Sequence, residues 1–175
     1  MTSFRQLIKK ILSNEIVLAV IFALLLKAYV VDSRYVPSSS MYPTLQVKDR
    51  LLVNKLSYKF GEFTRGDIII FEPPASVESE HDYVKRLLAV SGDVVEITNG
   101  VVFINGEPQE EEYINEKPLY NFPATQVPEN KLFVLGDNRN YSYDSHLWAD
   151  WLSDDAVKGK VFFRYWPLNR INKIE

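Results

Sequence analysis

Residues Ile16 to Val31 read Ile-Val-Leu-Ala-Val-Ile-Phe-Ala-Leu-Leu-Leu-Lys-Ala-Tyr-Val-Val, sixteen positions with a single charge, Lys27. No later stretch is comparably apolar. A membrane-spanning helix uses roughly 20 apolar residues, so this run is short. Lys27 stands near its distal end, where a lysine is able to snorkel to the interface. Upstream, Leu7, Ile8, Ile11 and Leu12 recur at helical spacing, and Ser3 with Gln6 fits a capping box. The helix is therefore expected to begin near Ser3. Arg5, Lys9 and Lys10 precede the run and by the positive-inside rule stay in the cytoplasm. After Leu26 the chain reads Lys-Ala-Tyr-Val-Val-Asp-Ser, a poor site for removal of a signal peptide. The expectation is an uncleaved anchor over residues 1–31 rather than a buried core helix. Residues 32–175 then form one domain on the far side of the membrane.

Beyond Asp32 the apolar periodicity is that of strands. Arg50-Leu-Leu-Val-Asn-Lys-Leu, Asp67-Ile-Ile-Ile-Phe and Lys131-Leu-Phe-Val-Leu are short β-type runs between turn-forming residues. Val94-Val-Glu-Ile-Thr and Val101-Val-Phe-Ile flank Asn99-Gly100, and Asn-Gly accepts the positive φ of a type I′ hairpin turn. Asn105-Gly106 marks a second turn, and Val161-Phe-Phe-Arg-Tyr-Trp a last strand ended by Pro167. One short helix is expected near Ser153 to Val157. Glu107 to Pro128 holds four of the nine prolines and the acidic run Glu110, Glu111, Glu112. Residues 107–130 therefore read as an exposed loop or cap. The fold class is mainly β and antiparallel, with one N-terminal transmembrane helix.

Composition removes several kinds of chemistry. The 175 residues contain no cysteine, so disulfides, thiolate zinc sites and a cysteine nucleophile are absent. Two histidines, His81 and His146, do not make a three-histidine zinc site in one chain. A net charge of −3, with no basic stripe among aromatics, gives no support to nucleic-acid binding.

Two side chains stand out by their surroundings, a hydroxyl and an amine. Ser40 stands in Pro37-Ser-Ser-Ser-Met-Tyr-Pro-Thr-Leu45, where Pro37 stiffens the approach and Pro43 disfavours helix at Tyr42. Lys85 stands in Tyr83-Val-Lys-Arg-Leu-Leu88. In a strand Tyr83, Lys85, Leu87 and Ala89 share a face, opposite Val84, Arg86, Leu88 and Val90. A lysine so placed is either a snorkelling side chain at a strand edge or a desolvated amine. The second kind has a lowered pKa and serves as a general base for a serine. The Ser40 N–H and the Ser38 hydroxyl are candidates for an oxyanion hole. Ser142 and Asp144 lie in Gly136-Asp-Asn-Arg-Asn-Tyr-Ser-Tyr-Asp-Ser145. That segment is a turn stapled by side-chain hydrogen bonds, or the carrier of a serine that orients the amine. His146 keeps a rival open, a triad of Ser40, His146 and Asp137 or Asp144. Asp144 and His146 equally suit a surface ion pair.

With these segments in order, the chain resembles the type I signal peptidases. Ser40-Met-Tyr-Pro-Thr-Leu45 matches the family's serine box and Arg65-Gly-Asp-Ile-Ile69 its next strand box. Lys85-Arg86 followed by Gly92-Asp93 matches its lysine box. Gly136-Asp-Asn-Arg139 with Ser142, Asp144 and Ser145 matches its last box. The resemblance runs from about residue 16 to Trp166. It implies Ser40 as nucleophile, Lys85 as general base, and an oxyanion hole from Ser38 and the Ser40 N–H. It also implies Ser142 bonded to the lysine, with Asp144 and Arg86 supporting the site. Val36, Met41, Leu45, Tyr83 and Val84 match positions that line the family's small-residue pockets. The implied reaction is removal of signal peptides from exported preproteins, with small residues at −3 and −1, and the resemblance implies no metal, nucleotide or other cofactor. The implied fold is a coiled antiparallel sheet or partial barrel whose apolar edge meets membrane lipid.

The Asp-Ser-His-Leu-Trp ending is similar to the cyanobacterial and plastid branch, which implies a periplasmic or thylakoid-lumenal domain. His146 stands where many members have arginine, and Tyr141 and Ala149 where Asn and Gly are expected in that branch. Two alternatives compete. One is a self-cleaving Ser-Lys peptidase of the repressor type. The other is a non-catalytic, membrane-anchored β module that binds exported proteins.

Overall fold

The computed structural model describes residues 14–174. Its first element, α1 (Glu15–Tyr29), is capped by Asn14, whose Oδ1 accepts the amides of Ile16 and Val17 at 3.1 and 3.3 Å. Asn14 itself is extended (φ −92°, ψ 109°). The described helix therefore begins at Glu15. The upstream signals from Ser3 to Leu12 lie outside the described residues. None of the α1 side chains is buried. Among the described residues no helix is long and apolar enough to cross a membrane.

Twelve strands follow: β1 (Val31–Tyr35), β2 (Arg50–Asn54), β3 (Ile68–Phe71), β4 (Tyr83–Val90), β5 (Val94–Thr98), β6 (Val101–Ile104), β7 (Glu107–Pro108), β8 (Phe122–Gln126), β9 (Lys131–Leu135), β10 (Leu152–Ser153), β11 (Val157–Trp166) and β12 (Asn172–Lys173). One sheet has the order β1-β2-β11-β3-β4-β9-β10, with β12 on β11, and a second has the order β7-β6-β5-β8. Every pairing between them is antiparallel. The larger sheet curls because β11 serves two partners. Its first residues pair with β3 and its last with β2, with register shifts at Val157/Gly159, Val161/Phe163 and Arg164/Trp166. Each shift bends the strand and adds twist.

The side-chain alternation of β3 shows what the curl encloses. Ile68 and Ile70 pack with Val36, Met41, Leu45, Leu51, Val53 and Val161, while Ile69 and Phe71 pack with Leu87, Val134, Trp148 and Leu152. All four β3 residues are buried, which is why the run reads as continuously apolar rather than alternating. A third cluster, including Val95, Ile97, Val102 and Phe133, joins the small sheet to β9 and the end of β4.

The Asn99-Gly100 hairpin forms as its residues require, with φ of 52° and 74° and Thr98 opposite Val101. Near Ser153 the expected short helix is a 3₁₀ turn, Asp154–Ala156. Residues 107–130 depart from the expected loop. They contain β7, which extends the small sheet beside β6, and β8, which pairs with β5. Pro108 and Pro123 are tolerated because both strands lie at the edges of that sheet.

Candidate active site

Ser40 lies on the loop between β1 and β2. Met41 and Leu45, both fully buried, pin that loop into the first core cluster. The Leu45 amide donates to the Met41 carbonyl at 2.8 Å. Asp49, also buried, accepts the Gln46 amide at 2.8 Å, Arg164 at 3.2 Å and Arg170 at 3.0 Å. A buried carboxylate needs such donors, and they tie the loop to the end of β11. From the other side, the Asn138 amide donates to the Ser40 carbonyl at 3.0 Å, and Asn138 Nδ2 donates to the Ser39 carbonyl at 3.1 Å.

Lys85 comes from β4, opposite Ile69 of β3. It is buried at 4% exposure, and its Nζ donates to Ser40 Oγ at 2.7 Å. Burial pushes the amine down to about 8, against the opposing pull of the Asp144 and Asp137 carboxylates. Ser38 Oγ lies 3.3 Å from Ser40 Oγ. Arg86, next along β4, points to the other face. It grips both oxygens of Asp137 at 2.9 and 2.8 Å and donates to the Gly66 carbonyl at 2.7 Å. Asp137 also accepts the Thr44 hydroxyl at 2.5 Å, so one carboxylate joins β4, the end of β9 and the serine loop.

A cavity of about 340 Å³ opens over this pair, walled by Ser38, Ser40, Tyr83, Val84, Lys85 and, from the 139–145 loop, Tyr141 and Tyr143. A neighbouring cavity of about 340 Å³ shares Pro37, His81, Asp82 and Val84 with it and adds Arg34, Val36, Leu51 and Ile70. Three of the five expected pocket residues, Val36, Tyr83 and Val84, thus line these hollows. Met41 and Leu45 do not. They are core residues with no exposed surface, and the loop's need for an anchor takes them inward. A larger cavity of about 580 Å³ is walled by charges of both signs, among them Asp32, Lys55, Lys59 and Asp154, and includes neither Ser40 nor Lys85.

Two expected contacts differ. Ser142 is brought to the site, but among the described residues its buried hydroxyl has no hydrogen-bond partner and makes no bond to Lys85. Asp144, fully buried, accepts the Gly136 amide at 2.9 Å and holds His146 Nδ1 at 2.7 Å. His146 stacks on Tyr120, with ring centroids 3.7 Å apart and planes at 5°. The Asp144–His146 pair is therefore interior, not a surface ion pair, because Tyr120 covers the imidazole. No hydrogen bond joins His146 to Ser40 among the described residues, and the serine hydroxyl is taken by Lys85.

Sequence reasoning missed Glu111, Tyr113 and Thr44. Thr44 adjoins the serine segment and was within reach of a search for its hydrogen bonds. Glu111 and Tyr113 sit in irregular backbone with no periodicity to place them.

Gly136 deserves a test. A Cβ there would collide with Ser142 Oγ and with the Ser40 carbonyl, because the turn runs directly against the serine loop. Gly136→Ala is expected to displace Ser40 and lower the cleavage rate by about a hundredfold, the effect of a misplacement on the order of 1 Å. A rate within twofold of the parent would mean the turn has slack.

A curled antiparallel sheet carrying a hydroxyl and an amine in one apolar groove has the build of a β-fold peptide hydrolase. The family model described as signal peptidase, peptidase S26, matches residues 8–166. A probable signal peptidase I-1 of Synechocystis sp. is 44% identical over 160 residues, covering 89% of this chain and 81% of that protein. A signal peptidase I of Leptolyngbya laminosa is 42% identical over 162 residues, covering 90% and 79%. Thylakoidal processing peptidase 1 of Arabidopsis thaliana is 39% identical over 162 residues, covering 88% of this chain and 47% of that one. Among solved structures, a signal peptidase I of Enterococcus faecalis is 30% identical and covers 57% of this chain and 96% of its own, with a TM-score of 0.49. The chain belongs to the type I signal peptidases of family S26, in their cyanobacterial and plastid branch. It is a hydrolase that removes signal peptides. Membership sets aside the repressor-type peptidase.

Proposed function

We propose that the chain is a membrane-anchored endopeptidase in which Ser40 is the nucleophile and Lys85 the general base. The observation that carries this is the 2.7 Å contact between Lys85 Nζ and Ser40 Oγ, with both side chains buried. A neutral amine at that distance takes the hydroxyl proton as Oγ attacks the carbonyl carbon of the scissile bond. The Ser38 hydroxyl and the Ser40 N–H hold the oxyanion of the tetrahedral intermediate. The ammonium of Lys85 then gives its proton to the departing amine, leaving an acyl-enzyme on Ser40. Water, deprotonated by Lys85, releases the signal peptide as a carboxylate and restores both side chains. Arg86, Asp144 and Ser142 support this pair, the first through Asp137 and the second through the Gly136 amide.

The substrates are preproteins cut after small residues at −1 and −3. The hollow beside Ser40 takes the first and the hollow beyond Val84 the second. The second is walled in part by Val36, Leu51 and Ile70 of the first core cluster. Residues 1–31 hold the enzyme in lipid with the N-terminus cytoplasmic. Residues 32–175 work on the far side, in periplasm or thylakoid lumen. The exposed apolar surface of α1 supports the anchor.

The test is cleavage of a preprotein with an Ala-x-Ala site by the full chain in detergent with lipid, the products weighed by mass spectrometry. A cut after the second alanine supports the reading, and an inert enzyme overturns it.

The buried amine also sets a pH dependence. Only neutral Lys85 accepts the proton, so kcat/KM should rise about tenfold per pH unit and level near pH 8. At pH 7 about one molecule in ten carries the neutral amine, against about one in a few thousand for an ordinary lysine. A profile flat from pH 5 to pH 8 would rule out a lysine base.

A further inference from the structure

The acidic run and the tyrosine behind it have no role in the reaction as written, yet they are not solvated. Glu111 lies inside, its two oxygens taken by Arg139 at 2.7 and 2.6 Å. Arg139 is itself buried and donates to the Gly136 carbonyl at 3.1 Å. The Tyr113 hydroxyl donates to Glu111 Oε1 at 2.6 Å. Its ring then lies 3.9 Å from the Arg86 guanidinium and 5.9 Å from that of Arg139. One aromatic ring therefore reaches two arginines. One holds Gly136 and the other holds Asp137, the two residues packed against the Ser40 loop.

A ring lying over a guanidinium attracts it and fixes its plane. It also keeps water from the Arg86–Asp137 pair, which strengthens that pair. Burial, with the Glu111 carboxylate beside it, holds the Tyr113 phenol above its usual range, so it remains a neutral donor. Arg86 follows Lys85 on β4, and Asn138, bonded to the Ser40 carbonyl, follows Asp137. The Arg86–Asp137 clamp thus links the strand that carries the amine to the turn that holds the hydroxyl.

We propose that Tyr113, seated by Glu111, is a positioning residue for the peptidase reaction, fixing the Arg86–Asp137 clamp that sets Ser40 against Lys85. The inference rests on Ser40 and Lys85 as the reacting pair. The segment read as a cap is then a brace for the site.

The experiment measures kcat, KM and the acid limb of kcat/KM on a preprotein, using the full chain in detergent. Tyr113→Leu should lower kcat about tenfold with KM within twofold. It should also move the acid limb to higher pH. Lys85 faces the Asp137 and Asp144 carboxylates and the Tyr83 ring, and a loosened Arg86 leaves more of the Asp137 charge to hold its proton. Tyr113→Phe keeps the ring and should keep kcat within about threefold. An unmoved kcat or an unmoved limb in Tyr113→Leu overturns the proposal, as does Tyr113→Phe falling equally far. Should Tyr113→Leu fail to fold, Tyr113→Met, which also removes the ring, must show the same fall and the same shift, and parental values in it overturn the proposal. An inert parent would instead overturn the Ser40–Lys85 reading beneath it.

Discussion

Lys85→Met is expected to abolish preprotein cleavage while making the folded chain more stable at pH 7. The loss follows from the base. General acid–base catalysis contributes about 10²–10⁴-fold, and a thioether accepts no proton from Ser40. The gain follows from the same burial that makes the amine useful. The folded-state value of about 8 lies below the ordinary 10.5 of the unfolded chain. Between those values the unfolded state binds more protons, so stability rises with pH through that window. Below pH 8 the burial cost is fully felt, about 3 kcal/mol for a gap of this size. A methionine of similar length removes the charge and fills the space. Its urea midpoint at pH 7 should therefore rise, and the difference from the parent should shrink toward pH 10. Cleavage at the parental rate would remove Lys85 from the mechanism. An unchanged midpoint would mean that the amine is solvated in the folded chain.

The second large effect is on stability, at Asp137. Arg86 and Asp137 are buried with side-chain exposures of 5% and 0%, and no bulk water reaches the pair. Asp137→Ala leaves a guanidinium inside the protein with only the Gly66 carbonyl and the Tyr113 ring. Breaking a buried pair in this way costs about 3–5 kcal/mol. It also frees the Thr44 hydroxyl beside Ser40. Urea unfolding of the detergent-solubilised chain should show the loss directly, with cleavage falling in parallel. A midpoint unchanged from the parent would mean that the pair contributes no net stability.

Elements whose signal is local were legible before any coordinates. Asn99-Gly100 dictates its hairpin because the backbone there needs positive φ. Ile68 to Phe71 and Lys131 to Leu135 declare strands by β-branched and aromatic content. The serine segment, the lysine strand and the last turn were all picked out as candidate site pieces, because each sets an unusual polar residue in a distinctive frame. At the start of α1 the Asn14 side chain caps the first turn, a local signal that apolar spacing passes over.

Long-range pairs were another matter. Glu111 was one of three acidic residues in a row, and nothing local marks it as the one that goes inside. It is buried because Arg139, 28 residues on, needs an anion there. Met41 and Leu45 were expected as pocket walls from the family resemblance, but they lie in the core, where a loop that crosses a core edge buries its apolar side chains. His146 and Asp144 were paired by their spacing. That the pair is interior depends on Tyr120, which arrives from the segment read as a loop.

The sequence by itself determined the strand-rich class, the family, and the polar groups available for chemistry in a chain without cysteine. Those follow from residue type, local backbone preference and motif order. Only the tertiary structure decided that Ser40 and Lys85 meet at 2.7 Å, that Arg86 is held by Asp137, and that Tyr113 lies between two arginines. The physical reason is desolvation. A charge or hydroxyl acquires its partner and its shifted proton affinity when the curled sheet removes water from around it, and local sequence does not encode where that water is excluded.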